Sequence, residues 1–236
     1  MEIPIKGTVY NTNVVTDGLV AYFDAANRAS YPGTGTTWTE LVAGNNGTLY
    51  NFEAGFFDSA NGGSLDFDGT DSYVRSSAPP PEGTGDWAVT FWVAIGSFSN
   101  SNFFIATYII DKFQFGIRPT SAAQWDIYFG SPGVTGNPFT NSPTMVLDQW
   151  YYIVATRIGS TLKIYRDGVE KVSTSNSQDI ATAGGDVYFG VQHDGGDPGS
   201  FDYPLDGKIG MFSIYNNGLT AAEVAQNYNA TKGRFT

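Results

Sequence analysis

The stretch "WAVTFWVAIG", residues 87–96, constrains the fold more than any other. Val89, Phe91, Val93 and Ile95 occupy every second position, and an extended chain sends alternate side chains to opposite faces. These four therefore share one apolar face, with Trp92 on the other. A helix would scatter them around its circumference. The same period returns in "NFFIATYII", "KFQFGIRP" and "QWDIYFGS", which predicts successive antiparallel strands.

"GLVAYFDAAN" predicts a first core strand ending at Asp24, followed by a Gly/Pro/Thr-rich loop through "ASYPGTGTTWTELVAGNNGTLYNF". "GGSLDFDGTDSYVRSS" predicts two short strands around an Asp68-Gly69 turn, with Leu65 and Phe67 pointing inward. "DQWYYIVATRIGSTLKIYRDGVEKVST" supplies a strand, a Gly159-Ser160 turn and a hairpin at Asp167-Gly168, whose residues suit the positive φ angles of a type I′ loop. "DVYFGVQ" adds another strand. The 236 residues include 29 Gly, 17 Phe, 14 Tyr and 5 Trp, a composition that favours many strands with tight turns. The predicted class is all-β, in one domain spanning 17–236, preceded by an extended polar arm over 1–16.

Two stretches break the pattern. "QWYYIVAT" is almost continuously apolar, so its second face must also be covered, by the terminal helix, the N-terminal arm or another subunit. The chain then closes on "LDGKIGMFSIYNNGLTAAEVAQNYNATKGRF". A strand ends at the Asn216-Asn217-Gly218 turn, and Thr220 with Glu223 three residues on forms a capping box. Leu219 and Val224 are spaced as a hydrophobic staple, and Val224 with Tyr228 gives the short helix one apolar stripe. Such a helix is a lid on a β structure.

Acidic residues outnumber basic ones 23 to 12, a net charge of −11, which excludes a phosphate backbone as the expected partner. The chain has no cysteine, so disulfides, Cys-ligated zinc and thiol catalysis are excluded together. No signal-length apolar segment opens the chain and no eighteen apolar residues run together, so the expectation is a soluble protein without a membrane partner.

In sum, "GLVAYFDAAN", "WTELVAGNNGTL", "GGSLDFDGTDSYV", "WAVTFWV", "LDQWYYIVATRIGSTLKIYRDGVE", "DVYFGVQ" and "LDGKIGMFSIYNNGLTAAEVAQNY" resemble the laminin-G-like, concanavalin A-like jelly-roll domains. The likeness covers nearly everything after residue 16. It implies an antiparallel jelly-roll β-sandwich closed by a short C-terminal helix, acting as a non-catalytic recognition or assembly module. The form of "DGLVAYFDAANRASYPGTGTTWTELVAGNNGTL" and "SANGGSLDFDGTD" is similar to versions in virion proteins of tailed bacteriophages. That likeness implies a capsid decoration or cement protein on the virion surface, a homo-oligomer docked on the major capsid protein or other virion proteins. The alternative is a carbohydrate-binding adhesin or lectin.

Catalysis has little support in the residues. The six Glu (2, 40, 53, 82, 170 and 223) offer no closely spaced pair on one strand, as glycoside hydrolysis requires, and the only histidine, His193, has Asp194 merely as a chain neighbour. "LDFDGTD" and "HDGGDPGSFDYPLD" are rich in hard oxygen ligands. The resemblance implies calcium as cofactor, with Asp68, Asp71 and Asp206 as its expected ligands, although Glu40 stands where relatives usually show Asp and Gly210 where they often show an acidic residue. A glycan would need an exposed aromatic platform flanked by carboxylates. The expected residues are Tyr31, Trp38, Phe201 and Tyr203 with Asp194 and Asp197.

Overall fold

The computed structural model describes residues 13–98, 105–109, 112–121, 124–129, 138–140, 145–175, 177, 179–180, 185–193 and 201–236. Its strands are, in chain order, β1 (Leu19–Asp24), β2 (Thr37–Trp38), β3 (Gly47–Tyr50), β4 (Phe57–Asp58), β5 (Ser64–Asp68) and β6 (Tyr73–Ser76). There follow β7 (Trp87–Ile95), β8 (Ile105–Ile109), β9 (Lys112–Ser121), β10 (Gln124–Phe129), β11 (Pro138–Thr140) and β12 (Trp150–Ile158). The series ends with β13 (Thr161–Arg166), β14 (Val169–Ser175), β15 (Asp186–Phe189), β16 (Gln192–His193), β17 (Phe201–Asp202) and β18 (Asp206–Tyr215), and then α1 (Ala221–Thr231).

Two antiparallel sheets form a sandwich. The first runs β14-β13-β12-β7-β18-β5-β4, with β1 also paired to β18, and the second runs β11-β10-β9-β8-β15-β6-β3-β2. Between them lies the main core, where Val89, Phe91, Val93 and Ile95 of β7 meet Phe23, Trp38, Phe189 and Phe212. Phe189 and Phe212 sit 4.2 Å apart between ring centroids. The face predicted for β7 is the buried one, and Trp92 points the other way, as alternation requires.

The second face of β12 is covered by the protein itself. Tyr152 and Val154 join Trp92, Tyr165, Met211, Tyr215, Leu219, Val224 and Phe235 in a second apolar cluster beneath α1 and the C-terminal residues. Trp92 is stacked on Phe235 at 4.5 Å and on Tyr228 at 5.8 Å, and its Nε1–H donates to Thr231 Oγ1 at 2.8 Å. Thr220 caps α1 as predicted. Its Oγ1 accepts from the Glu223 amide at 3.4 Å, while Glu223 Oε2 accepts from the Thr220 amide at 2.8 Å.

Residues 13–16 lie against α1: the Val15 amide donates to Asn227 Oδ1 at 2.7 Å, and Gln226 Nε2 donates to the Asn13 carbonyl at 2.9 Å. Tyr215 closes the arrangement by donating to the Val15 carbonyl at 3.1 Å and accepting from Asn227 Nδ2 at 3.1 Å. Residues 1–12 lie outside the described residues. The stretch read as a loop after Asp24 contains β2 and β3, because Trp38 and Leu49 are core residues that need extended backbone to face inward. The two predicted strands β5 and β6 belong to different sheets, and the Asp68-Gly69 turn is the corner that carries the chain from one to the other.

The Asp167-Gly168 hairpin is as predicted. Both residues have positive φ, 54° and 78°, and Arg166 faces Val169 across the loop.

Candidate functional site

Two of the expected platform aromatics, Trp38 and Tyr31, lie inside the sandwich. Trp38 is fully buried, edge-on to Phe23 at 5.3 Å. Tyr31 is also fully buried, packed on Phe57 at 5.4 Å and donating its hydroxyl to the Gly35 carbonyl at 2.8 Å. Both fill the sandwich end because a large ring gains more from burial than from standing in water. Neither offers a face to a sugar. Tyr203 is 42 % exposed and directly follows β17, whose Phe201 backbone pairs with His193. Asp194 and Asp197 lie outside the described residues.

Asp68 and Asp206 face each other in register on β5 and β18, and Asp71 lies in the turn after β5. Asp68 Oδ1 is used inside its own turn, accepting from the amides of Thr70 (2.8 Å), Asp71 (3.2 Å) and Ser72 (3.2 Å) and from Ser72 Oγ (2.9 Å). Burial pushes its carboxyl up, and these hydrogen bonds more than offset that, holding it below the usual range. Among the described residues, no group of three or more His, Cys, Asp or Glu side chains is arranged to hold a metal ion.

The departure at Glu40 has a structural account. Its side chain is 2 % exposed and gathers backbone amides: Oε1 accepts from Tyr22 (2.8 Å) and Val42 (2.6 Å), and Oε2 from Ala43 (2.7 Å) and Gly44 (2.8 Å). Gly210 is explained by space, since a Cβ there would come within 2.7 Å of the Phe235 ring.

The residues that do converge lie on the outer face of the first sheet, beside the part that α1 covers. Strand register places Trp150 of β12 opposite Ala94 of β7, Ala94 opposite Lys208 of β18, and Lys208 opposite Asp66 of β5. With neighbouring strands about 4.8 Å apart, this row of four is about 14 Å long. Ala94 leaves the middle of the row low. The resulting groove has a volume of about 490 Å³ and is also bordered by Asp58, Asn61, Asp148 and Asp206. Such a volume falls within the range of about 300–1,000 Å³ typical of small-ligand sites.

Trp150 is only partly buried, with Phe235 tilted against it at 4.7 Å. Lys208 Nζ donates to Asp58 Oδ2 at 2.7 Å and lies 3.7 Å from Asp66 Oδ2. The hydrogen bond from Lys208 holds the Asp58 carboxyl below its usual range. Burial pushes Asp66 up, with the charges of Asp58 and Asp206 adding to the effect against the pull of Lys208. Asp206 is also raised, first by burial and then by the charges of Asp148 and Asp68. An aromatic face, an ammonium, an amide and several carboxylates in one groove can stack on a sugar ring and hydrogen-bond its hydroxyls.

Sequence reasoning placed Trp150 in a wholly covered run and assigned Asp58, Asp148 and Lys208 no role. The signal was strand parity. Tyr151 and Ile153 face the main core, so Trp150 must face outward, at the end of β12 that α1 does not reach.

Two antiparallel sheets packed face to face and closed by one short helix define a β-sandwich class. The profile described as the concanavalin A-like lectin/glucanases superfamily, of laminin-G type, matches residues 68–225, and the chain belongs to that family. No curated protein matches the chain. Among solved structures it is similar to domain 4 of AbnA, an extracellular arabinanase of Geobacillus stearothermophilus, in complex with arabinotriose. The identity is 21 %, the TM-score 0.61, and the match covers 90 % of this chain and 98 % of that one. It is also similar to a Trypanosoma rangeli sialidase (14 % identity, TM-score 0.62, 94 % of this chain, 35 % of that one). A third is the receptor binding domain of botulinum neurotoxin type G (15 % identity, TM-score 0.64, 90 % and 51 %). The chain thus spans about a third of the sialidase. At these identities the likeness concerns the fold. No helix among the described residues is long and apolar enough to cross a membrane.

Proposed function

We propose that this domain is a non-catalytic carbohydrate-binding module whose site is the outer groove of the first sheet. The observation that carries the reading is the in-register row Trp150, Ala94, Lys208 and Asp66, with Asn61 and further carboxylates around it. The arabinanase domain bound to arabinotriose supports it, as a structure of similar fold that takes a sugar. The carboxylate closest to Lys208 argues against hydrolysis. Asp58 is hydrogen-bonded to Lys208 and held low by it, and a carboxylate so paired is a poor nucleophile or general base.

The test is a glycan array followed by calorimetry, with added calcium and again with chelator. Saturable binding to one glycan class, lost in Trp150→Ala while the far-UV circular dichroism is unchanged, is the expected result. Silence across the array from folded protein defeats the reading. Turnover of any polysaccharide that disappears in Asp66→Asn defeats its non-catalytic part.

A second reading, a virion decoration protein docked on a major capsid protein as a homo-oligomer, draws on one observation. Residues 13–16 are anchored on α1, so residues 1–12 begin at a fixed point on the domain. Deleting residues 1–12 separates the two roles: loss of capsid association with glycan binding retained supports the second, and retained association counts against it.

A further inference from the structure

Resting on the glycan reading of the groove, we propose that its ligand is a glycan bearing a positively charged amine, such as a 2-amino-2-deoxy sugar or an oligomer of one. Its ring would lie on Trp150 and its ammonium beside Asp148 and Asp206.

The charges of the groove carry this choice. Four carboxylates border it, those of Asp58, Asp66, Asp148 and Asp206, against the single ammonium of Lys208. That ammonium is engaged on one side of the row, by Asp58 and Asp66. Asp148 and Asp206 meet at the other side, where β7 ends. The Asp148 amide donates to the Ile95 carbonyl at 2.8 Å, and the Gly96 amide donates to the Asp206 carbonyl at 2.8 Å, so backbone bonds to adjacent residues hold the two aspartates together. Asp148 is exposed and, among the described residues, has no ion-pair partner. Burial, and after it the charges of Asp148 and Asp68, keep the Asp206 carboxyl above its usual range, and an arriving cation relieves the charge part of that. Trp150 stands two residues from Asp148, so a pyranose stacked on the ring brings a substituent within reach of the carboxylate.

A neutral sugar would stack and hydrogen-bond but leave the repulsion in place. An anionic sugar, a uronate or a sialic acid, would add to it. The acidic balance of the whole chain acts in the same direction on approach, favouring cationic over anionic polymers.

The experiment is an array in which each neutral backbone stands beside its 2-amino and its uronate counterpart, read at about pH 6, where an amine of ordinary basicity is protonated. For the backbone that binds, the amine form is expected to bind about two- to fivefold tighter than the neutral form, the difference one exposed ion pair makes. The uronate form should bind weakest. Raising the salt concentration should narrow the gap. Asp148→Asn should weaken binding of the amine form more than that of the neutral form, closing most of the gap between them. Equal or tighter binding of the neutral or acidic form overturns the amine inference and leaves the glycan reading standing, as does an Asp148→Asn effect of equal size on both forms. Absence of binding to every form of every backbone overturns both.

Discussion

Replacing Glu40 by Ala removes the acceptor of a buried amide cluster and leaves the rest of the sequence untouched. Of its donors, the Tyr22 amide belongs to a central part of the fold and Val42 is partly buried, whereas Ala43 and Gly44 are exposed and can turn to water. The loss therefore falls on two donors that water cannot reach freely. At about 1–3 kcal/mol for each buried group left unpaired, destabilisation of about 3–4 kcal/mol is expected. For a domain of this size that corresponds to a fall in Tm of about 10 °C, at about 2–4 °C per kcal/mol. Glu40→Gln should do little better, because an amide NH2 would face donors where Oε2 now accepts. The measurement is urea denaturation of the three proteins, read as the shift in midpoint at constant slope. A loss under about 1 kcal/mol in Glu40→Ala would refute the assignment of Glu40 as the acceptor that organises this turn. Glu40 does not border the groove, so glycan affinity per folded molecule should be unchanged.

Three further outcomes follow from the same geometry. Thr220→Ala removes one half of the capping box and should cost about 1 kcal/mol, seen as a lower urea midpoint at constant slope. Gly210→Ala drives a Cβ to 2.7 Å from Phe235, which must leave its place against Trp92 and Trp150. Destabilisation of about 1–3 kcal/mol and weaker glycan binding are expected together, by calorimetry. Asp206 has a raised carboxyl, so the folded state takes up its proton first as pH falls: ionised Asp206 disfavours folding at neutral pH, and this penalty fades as pH falls through the raised value. Asp206→Asn should therefore raise Tm at pH 7 and show no advantage below the ordinary carboxylate pKa. Asp58, held low by Lys208, has the opposite sign, its contribution being present at neutral pH and lost as pH falls through its depressed value.

Much of this fold was readable because its physics is local. Alternation fixes which face of β7 is inside, a two-residue Asp-Gly loop needs no distant partner, and the capping box of α1 is complete within four residues. What escaped was set by contacts far apart in the chain. Tyr31 and Trp38 read as loop aromatics because nothing near them shows that Phe57, Phe23 and Phe189 will close around them. Asp68 and Asp206 do face each other, in register on β5 and β18, yet Asp68 spends one oxygen on the amides of its own turn. A list of acidic residues cannot distinguish a ligand from a turn cap.

The groove has the same origin as the helix that opened the question of coverage. The outer face of the first sheet is apolar along β12 and β18 where α1 lies over it, and polar toward β4 and β5 where α1 does not reach. Phe235 stands at the border, stacked on Trp92 on the covered side and tilted against Trp150 on the open one. Gly210 gives it room. The residue that completes the lid thus also backs the Trp150 ring that borders the groove. This is why a substitution in β18 that leaves every lining carboxylate in place is expected to be felt by the ligand.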